Sequence, residues 1–259
     1  MDKVVIHPEV PGMALPGVDR VAALRSLHWL HLGWRDLMHS PASFVYGGLF
    51  ALMGYALVFY GAQNLPLTLG LFTGFLLLAP LLAVVFYDVS RAMELRKHYP
   101  LHHHLRRLLR VRGPGIGMYA LLLAFAMAVW LLLSAVLAGF FLKGNTGGLG
   151  GFAREVFFSG AYGPFVAVYS LLGVVFAAAV FALSVVTLPM LMDRKVDFAT
   201  AAATSLWVVR ENALPMLIWA LLIVVLTALG FATVFVGLAV IFPWLGHATW
   251  HAYRELVDR

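Results

Sequence analysis

The feature that most constrains this chain is a run of 34 residues without a single charge, from position 213 to 246. Comparable charge-free stretches recur upstream, and each is long enough for a helix to cross a bilayer. Hydrophobic residues make up 62% of the 259 residues and charged residues only 12%, whereas a soluble domain has about 45–50% and about 25%. Since hydrocarbon offers no water to backbone polar groups, such stretches form helices. The sequence predicts an all-α, multi-pass transmembrane helical bundle.

The apolar stretches are divided here into six membrane helices. One helix over 213–246 would be about 51 Å long at about 1.5 Å per residue, against a hydrocarbon core of about 30 Å. We therefore divide it near Gly230. A single membrane domain, 17–259, is expected to follow a flexible tail, 1–16, that carries three prolines. The predicted spans are about 42–61, 66–87, 116–142, 164–192, 213–229 and 231–250.

Two further segments have the pattern of amphipathic helices that lie in the headgroup region. The first is 17–40, and the second is DRKVDFATAAATSLWVVREN, 193–212. We expect both to be interfacial helices that accompany the six spans. Their apolar faces are Ala23, Leu27, Leu30, Trp34 and Leu37 in the first helix, and Val196, Ala199, Ala203, Leu206 and Val209 in the second.

The basic residues indicate which side of the membrane each connecting segment occupies. With six spans and a cytoplasmic N-terminus, only Lys143 and Arg154 of the 18 Lys and Arg residues lie outside, as the positive-inside rule requires. This predicts a bacterial inner-membrane protein with both termini cytoplasmic. All 10 histidines fall on that side too. No predicted span has an ionisable residue in its middle, which argues against an intramembrane ion or proton pathway.

Several stretches carry a family resemblance. They are GWRDLMHSP and YGGLFALMGY near the first span, GFLLLAPLLAVVFYDVSRAMELRK, LPMLMDRKVDFATAAATSLWVVREN and, above all, FPWLGHATWHAYRELV at the C-terminus. These segments resemble the bacterial domain-of-unknown-function family 2189, predicted integral membrane proteins. The resemblance implies a six-helix inner-membrane protein of a family without a settled activity.

Some relatives in that family carry a label linking them to cytochrome c oxidase subunit I. An oxidase catalytic subunit needs histidines inside the bilayer as haem and copper ligands. The predicted spans have no histidine in their middle. The sequence therefore argues against oxidase chemistry and leaves open an accessory role beside such a complex.

His247 and His251 form the first candidate site. They lie four residues apart, so a helix places both imidazoles on one face, where two ring nitrogens could share a metal ion. The glutamate of the zinc-protease pattern His-Glu-x-x-His is replaced by Ala248, so no general base is supplied. A helix leaving the headgroup region would show the same pattern with packed or solvated histidines. Both interpretations stay open, and no cofactor is assigned.

The segment after the second span offers a second candidate, a polar hub. Asp88, Arg91 and Glu94 have helical spacing there and could form ion pairs that receive the C-terminal helix. The alternative is a solvated helix extension with weak surface pairs. Three histidines on the same side of the membrane could approach this hub or supply a further metal ligand: His28, His31 and His39.

The connector that follows this hub is strongly basic. A basic cluster next to a span attracts anionic lipid, and we expect lipid contact at the cytoplasmic face rather than nucleic-acid binding. The chain has no cysteine, which excludes disulfides, thiolate metal sites and cysteine nucleophiles. The predicted lipid-contact residues are Arg106, Arg107, Arg110 and Arg112.

For function, the sequence favours a non-catalytic scaffold or accessory subunit of a membrane complex, a respiratory complex being one example. Its partner would be another membrane protein or a second copy of the chain. The alternative is a small transporter, or a membrane protein that binds metal or haem through its cytoplasmic histidines. No paired carboxylates or nucleophile–base set indicates an enzyme. We expect the C-terminal helix to dock against the N-terminal one.

Overall fold

The computed structural model describes residues 5–6, 9–10, 13–61, 65–97, 114–142, 151, 154–155 and 162–258. The described chain is predominantly helical and forms a multi-pass transmembrane bundle, as its apolar composition predicted. The helices are α1 (Arg25–Met38), α2 (Pro41–Gly61), α3 (Leu65–Leu82), α4 (Val84–Glu94), α5 (Pro114–Phe141), α6 (Gly163–Ser184), α7 (Thr187–Asp193), α8 (Phe198–Glu211), α9 (Ala213–Ala232) and α10 (Leu238–Leu256).

Five helical segments among the described residues are long and apolar enough to cross a membrane, and they match the first five predicted spans. The sixth predicted span, 231–250, is not among them. Its helix, α10, carries His247, His251 and two charges, Arg254 and Glu255, in its second half, so the sixth crossing stays a prediction. The five segments are Pro41–Tyr60, Gly74–Glu94, Pro114–Phe141, Gly163–Asp193 and Ala213–Ala232.

The charge-free run of 34 residues forms two helices joined by a turn. The helix α9 ends at Ala232 and α10 begins at Leu238. Val234 and Phe235 have φ angles of 54° and 69°, a left-handed conformation that a continuous helix does not contain. The predicted division near Gly230 lies close to this turn. A Cβ added to Gly230 would meet the Leu238 side chain.

The N-terminal segment contains short strands, where the sequence predicted a tail without regular structure. All pairs are antiparallel, and each strand is only two residues long. Strands of this length have no alternation from which they could be predicted. They pair as β1 (Val5–Ile6) with β4 (Val18–Asp19), and β2 (Glu9–Val10) with β3 (Met13–Ala14).

The two ends of the described chain are joined directly. Val18 of β4 forms an antiparallel bridge with Val257, which follows α10. The Asp258 backbone N–H donates to the Gly17 carbonyl at 2.9 Å. Val18 and Val257 are both buried, so this contact belongs to the core of the polar end of the protein.

The predicted interfacial helix at 17–40 starts later than expected, and its predicted apolar face is divided. Residues 17–24 precede the helix, which begins at Arg25. Leu27 and Trp34 of that face are exposed, whereas Leu30 and Leu37 are buried. Because α1 is apolar on two sides, periodicity alone does not say which side meets protein.

The second predicted interfacial helix corresponds to α8, which is capped by Asp197: its carboxylate accepts from Thr200 N–H at 2.7 Å. Leu206, on its predicted apolar face, is exposed. Small and hydroxyl residues are buried instead, and Ser205 donates to the Ala182 carbonyl at 2.7 Å. That bond uses a carbonyl at the interruption between α6 and α7.

Two compact units can be distinguished. The first comprises residues 1–51, 80–120 and 181–259, and the second comprises 52–79 and 121–180. The second unit is held by apolar packing, for example the ring contacts of Trp130 with Tyr169. The first unit contains α1, α4 and α7 to α10, together with nearly all polar contacts discussed below.

Candidate functional site

The helices α1 and α10 pack against each other more extensively than any other pair of described elements, which confirms the predicted docking. At their crossing, a Cβ added to Gly33 would lie 2.5 Å from the Ala248 backbone nitrogen. Only glycine permits this approach. On the same interface, Trp29 Nε1 donates to Glu255 Oε2 at 2.7 Å. The C-terminal helix is therefore fixed on the N-terminal one by close backbone contact and by buried side chains.

A continuous row of hydrogen-bonded side chains lies where α1 and α10 meet the first turns of α2 and the middle of α4. It is almost entirely buried; only its last histidine, on α10, is partly exposed. Each helix contributes through its normal periodicity: Asp36 lies on the same face of α1 as Trp29 and Gly33. We call this set the polar row: Ser40, Ser43, His247, Ser90, Asp36 and His251.

His247 occupies the centre of the polar row and is completely buried. Its Nε2 lies 2.9 Å from Ser43 Oγ, and its Nδ1 lies 2.8 Å from Ser90 Oγ. Ser43 Oγ is in turn 2.9 Å from Ser40 Oγ. Both ring nitrogens therefore have serine partners, one from α2 and one from α4.

Asp36 lies near the other end of the row, between Ser90 and His251. Ser90 Oγ donates to Asp36 Oδ2 at 2.7 Å, and His251 Nε2 lies 2.8 Å from the same oxygen. A single carboxylate oxygen of Asp36 thus bonds both to Ser90 of α4 and to His251 of α10, and Asp36 itself belongs to α1. Three helices depend on this one acceptor.

The Asp36 carboxylate determines which atoms donate hydrogen bonds along the polar row. An ionised carboxylate only accepts, so Ser90 gives its hydrogen to Asp36 and accepts from His247 Nδ1–H. In neutral His247, Nε2 is then an acceptor that the Ser43 hydroxyl satisfies. A second proton on His247 would make Nε2 a donor, and the Ser43 hydroxyl would turn to Ser40. Rotation of one hydroxyl therefore reconciles the row with either charge state.

Hydrogen bonding determines the charge state of Asp36. Burial raises the pKa of Asp36, but hydrogen bonds from His251 and Ser90 outweigh it and hold that pKa below its ordinary value. At neutral pH the polar row therefore contains an ionised Asp36.

A second set of contacts holds the end of α10 against α4 and α7; we call it the Asp193 cluster. The Asp193 carboxylate lies 3.1 Å from Arg91 Nε and 3.1 Å from Arg254 Nη1, and it accepts from the Tyr253 hydroxyl at 2.9 Å. Arg254 Nη2 also pairs with Glu94 at 2.7 Å. Each pair is partly exposed and weak by itself, but together they orient three helix ends.

The predicted metal pair is placed in the polar row. His251 contacts Asp36, and both ring nitrogens of His247 contact serines. Within the described ranges, no group of three or more His, Cys, Asp or Glu side chains is arranged to hold a metal ion. The i, i+4 spacing put both histidines on the same side of α10, and that side meets serines and a carboxylate.

Two residues of the predicted polar hub lie in the Asp193 cluster and contact the C-terminal helix through it: Arg91 pairs with Asp193, and Glu94 pairs with Arg254 of α10. The third residue, Asp88, is buried. The predicted lipid-contact residues Arg106, Arg107, Arg110 and Arg112 lie outside the described residues. The three histidines proposed to approach the hub are exposed on α1 and at its end: His28, His31 and His39.

Asp36, Ser43 and Ser90 were missed as site residues. Asp36 follows Trp29 by seven positions and Gly33 by three, a spacing that places it on their face of a helix. That was the available signal, because a carboxylate in phase with buried residues needs a partner. The two serines carry no comparable signal, since short hydroxyl side chains are common in membrane helices.

The arrangement limits the chemistry of the row. Ser43 and His247 have the residue types of a nucleophile and a base at 2.9 Å, but both are completely buried. A substrate would have to separate α1, α2 and α10 to reach them. The polar row is therefore suited to fixing these helices against one another.

Comparison with known proteins agrees with the membrane assignment. No curated protein and no solved structure matches the chain. The family model DUF2189, described as a predicted integral membrane protein, matches residues 67–193. The match covers α3 to α7, including Ser90 and Asp193, whereas α1, α10 and the C-terminal histidines lie outside it. From α3 to α7, the chain is therefore similar to the DUF2189 family of predicted integral membrane proteins.

Proposed function

We propose that this protein is a non-catalytic scaffold or accessory subunit of a membrane complex, in a bacterial inner membrane with both termini cytoplasmic. The observation that supports this role is the internal use of its polar groups. The polar row and the Asp193 cluster join α1, α4, α7 and α10 to one another. Such groups build a rigid platform at the ends of the spans, on which a partner can assemble.

The contact between the chain ends supports an even number of membrane crossings. Val18 and Val257 form a bridge, and two segments that bond to each other lie on the same side of a bilayer. With the five candidate spans, α10 then supplies the sixth crossing. With six crossings, all but Lys143 and Arg154 of the 18 Lys and Arg residues face the cytoplasm, in keeping with the positive-inside rule.

This topology can be tested with single cysteines, since the chain has none of its own. Val236 is exposed in the turn between α9 and α10, and Leu206 is exposed on α8. An impermeant maleimide should label Val236→Cys only from the outer side and Leu206→Cys only from the cytoplasmic side. Labelling of both from one side would mean that α9 and α10 re-enter, and would contradict six crossings.

The scaffold role is tested by extracting the chain from its native membrane in polymer-bounded lipid discs. We expect it to be recovered with another membrane protein, or a second copy of itself, at a fixed ratio. Gly33→Ala, which forces α1 away from α10, should reduce that recovery several-fold. Gly48→Ala is the matched control, because a Cβ at Gly48 meets nothing within 4 Å.

Two outcomes would contradict the scaffold role. One is a single copy of the chain with no protein at a fixed ratio. The other is a metal ion or haem bound at a fixed ratio and lost from the His247→Ala/His251→Ala double variant, which would favour the metal- or haem-binding alternative. Lipid contact through Arg106, Arg107, Arg110 and Arg112 belongs to the proposal as well.

A further inference from the structure

The outward side of α1 exposes a row of large apolar side chains. Leu27, Trp34 and Met38 fall within about 40° of one another around the helix axis at about 100° per residue, and Leu24 directly precedes the helix. Their exposed fractions are large for apolar residues: 50% for Leu27, 40% for Trp34, 45% for Met38 and 65% for Leu24. We call these four residues the apolar row of α1. One edge of the Trp34 ring also contacts Trp244 of α10, with ring centroids 5.1 Å apart.

A basic edge runs alongside the apolar row. It is exposed along the whole helix, and Arg35 is its central fixed charge. The opposite face of α1 is packed on α10, so α1 has three sectors: a protein-facing side, an apolar side and a basic side. Arg25, at the start of the helix, already pairs with Glu255 of α10. The residues of the basic edge are Arg25, His28, His31, Arg35 and His39.

The position of α1 in the chain places it at the membrane surface. It ends at Met38, and the first candidate span begins at Pro41. Two intervening residues reach no more than about 7 Å. Ser40 and Ser43 at this junction belong to the polar row, so the end of α1 is held in place where the chain enters the bilayer.

We propose that the apolar row and basic edge of α1 form a docking surface for the headgroup layer of an anionic bilayer. The apolar row inserts at the boundary between headgroups and acyl chains, as the apolar face of an interfacial helix does. Tryptophan favours this depth, and the basic edge meets lipid phosphates. The surface differs from the face predicted by periodicity, because Leu30 and Leu37 are buried in the protein. It does not depend on the scaffold role.

The test uses the full chain in lipid nanodiscs with one engineered cysteine. Leu27→Cys reports on the apolar row, and the adjacent His28→Cys reports on the basic edge. Each is labelled with a small fluorophore and exposed to a quencher on shallow lipid chains or to iodide in water. We expect the Leu27 label to be quenched several-fold more by the lipid quencher than the His28 label, and iodide to show the reverse order.

Two results would overturn the proposal. Equal iodide quenching at both positions would place the apolar row in water. Shielding of the Leu27 label from both quenchers would indicate that a protein, or a second copy of the chain, covers it.

The charge contribution is tested by changing the lipid. Spin-labelled phosphatidylglycerol should quench the Leu27 label more than spin-labelled phosphatidylcholine does. Arg35→Gln should lower this preference by up to about fivefold, the ratio that corresponds to about 1 kcal/mol per basic residue near an anionic surface. Arg210→Gln, which removes a cation stacked on Trp207 of α8, should leave it unchanged. An unchanged preference in Arg35→Gln would contradict the role of the basic edge.

Discussion

Substitution of Asp36 by alanine is expected to lower the free energy of unfolding of the first unit by on the order of 3 kcal/mol. The carboxylate is the common acceptor for Ser90 and His251. Without the carboxylate, the Ser90 hydroxyl and the His251 imidazole lose their acceptor. Ser90 is then no longer oriented to accept from His247, the next residue in the polar row. Removing one member of a buried polar network costs more than the pair contributes by itself.

The loss can be measured by equilibrium unfolding in mixed micelles together with the accessibility of a cysteine at Ala252, which is completely buried on α10. In the Asp36→Ala background, Ala252→Cys should react with a water-soluble maleimide many times faster than in the wild-type background. Ser134→Ala is a matched control, because Ser134 is a buried serine of the second unit whose Oγ lies 3.2 Å from the Tyr169 hydroxyl. Equal reactivity in all backgrounds would show that Asp36 does not hold α10.

Gly33→Ala is expected to be the most disruptive single-methyl change in α1. The new Cβ would lie 2.5 Å from the backbone nitrogen and 2.8 Å from the Cα of Ala248. Backbone atoms cannot turn aside as a flexible side chain can, so one helix has to move. Overpacking of this kind costs about 1–3 kcal/mol, and here the displaced helix also carries His247 and His251 away from their partners.

The control is again Gly48→Ala, in a helix and with open space around the new methyl group. It should be neutral, or stabilising by up to about 1 kcal/mol through helix propensity. Thermal unfolding of both variants in the same detergent compares the two sites. If Gly33→Ala melted at the same temperature as Gly48→Ala, the close approach of α1 and α10 would be wrong.

The sequence predicted the membrane class and the docking of the terminal helices because both depend on strong, long patterns. A charge-free run of 34 residues has few possible structures, and the amphipathic helices at both ends have compatible faces. The sequence did not predict which side of α1 faces the protein. Leu27 and Leu30 are equally apolar, yet the first is exposed and the second is buried. A helix between protein and lipid needs apolar residues on two sides, and its period does not distinguish them.

The candidate site was predicted in part. The spacing of His247 and His251 correctly placed both on one side of α10, but it could not say what that side meets. Their partners are Asp36, Ser43 and Ser90 on three other helices. Ser90 is 157 residues from His247 in the sequence, and Asp36 is 215 residues from His251. Contacts at such separations arise from tertiary packing, and no local pattern in the sequence records them.

The proposed topology depends most on the bridge between Val18 and Val257, because it requires both residues to lie on the same side of the membrane. The most direct test is the Val18→Cys/Val257→Cys double variant in a chain that has no other cysteine. Bridge partners lie within the Cα separation that a disulfide spans, about 4.4–6.8 Å. Mild oxidation in the native membrane should therefore close an intramolecular disulfide in most molecules, whereas Val18→Cys with Val236→Cys should form none. Free thiols at 18 and 257 that an impermeant reagent labels from opposite sides of the membrane would contradict the account.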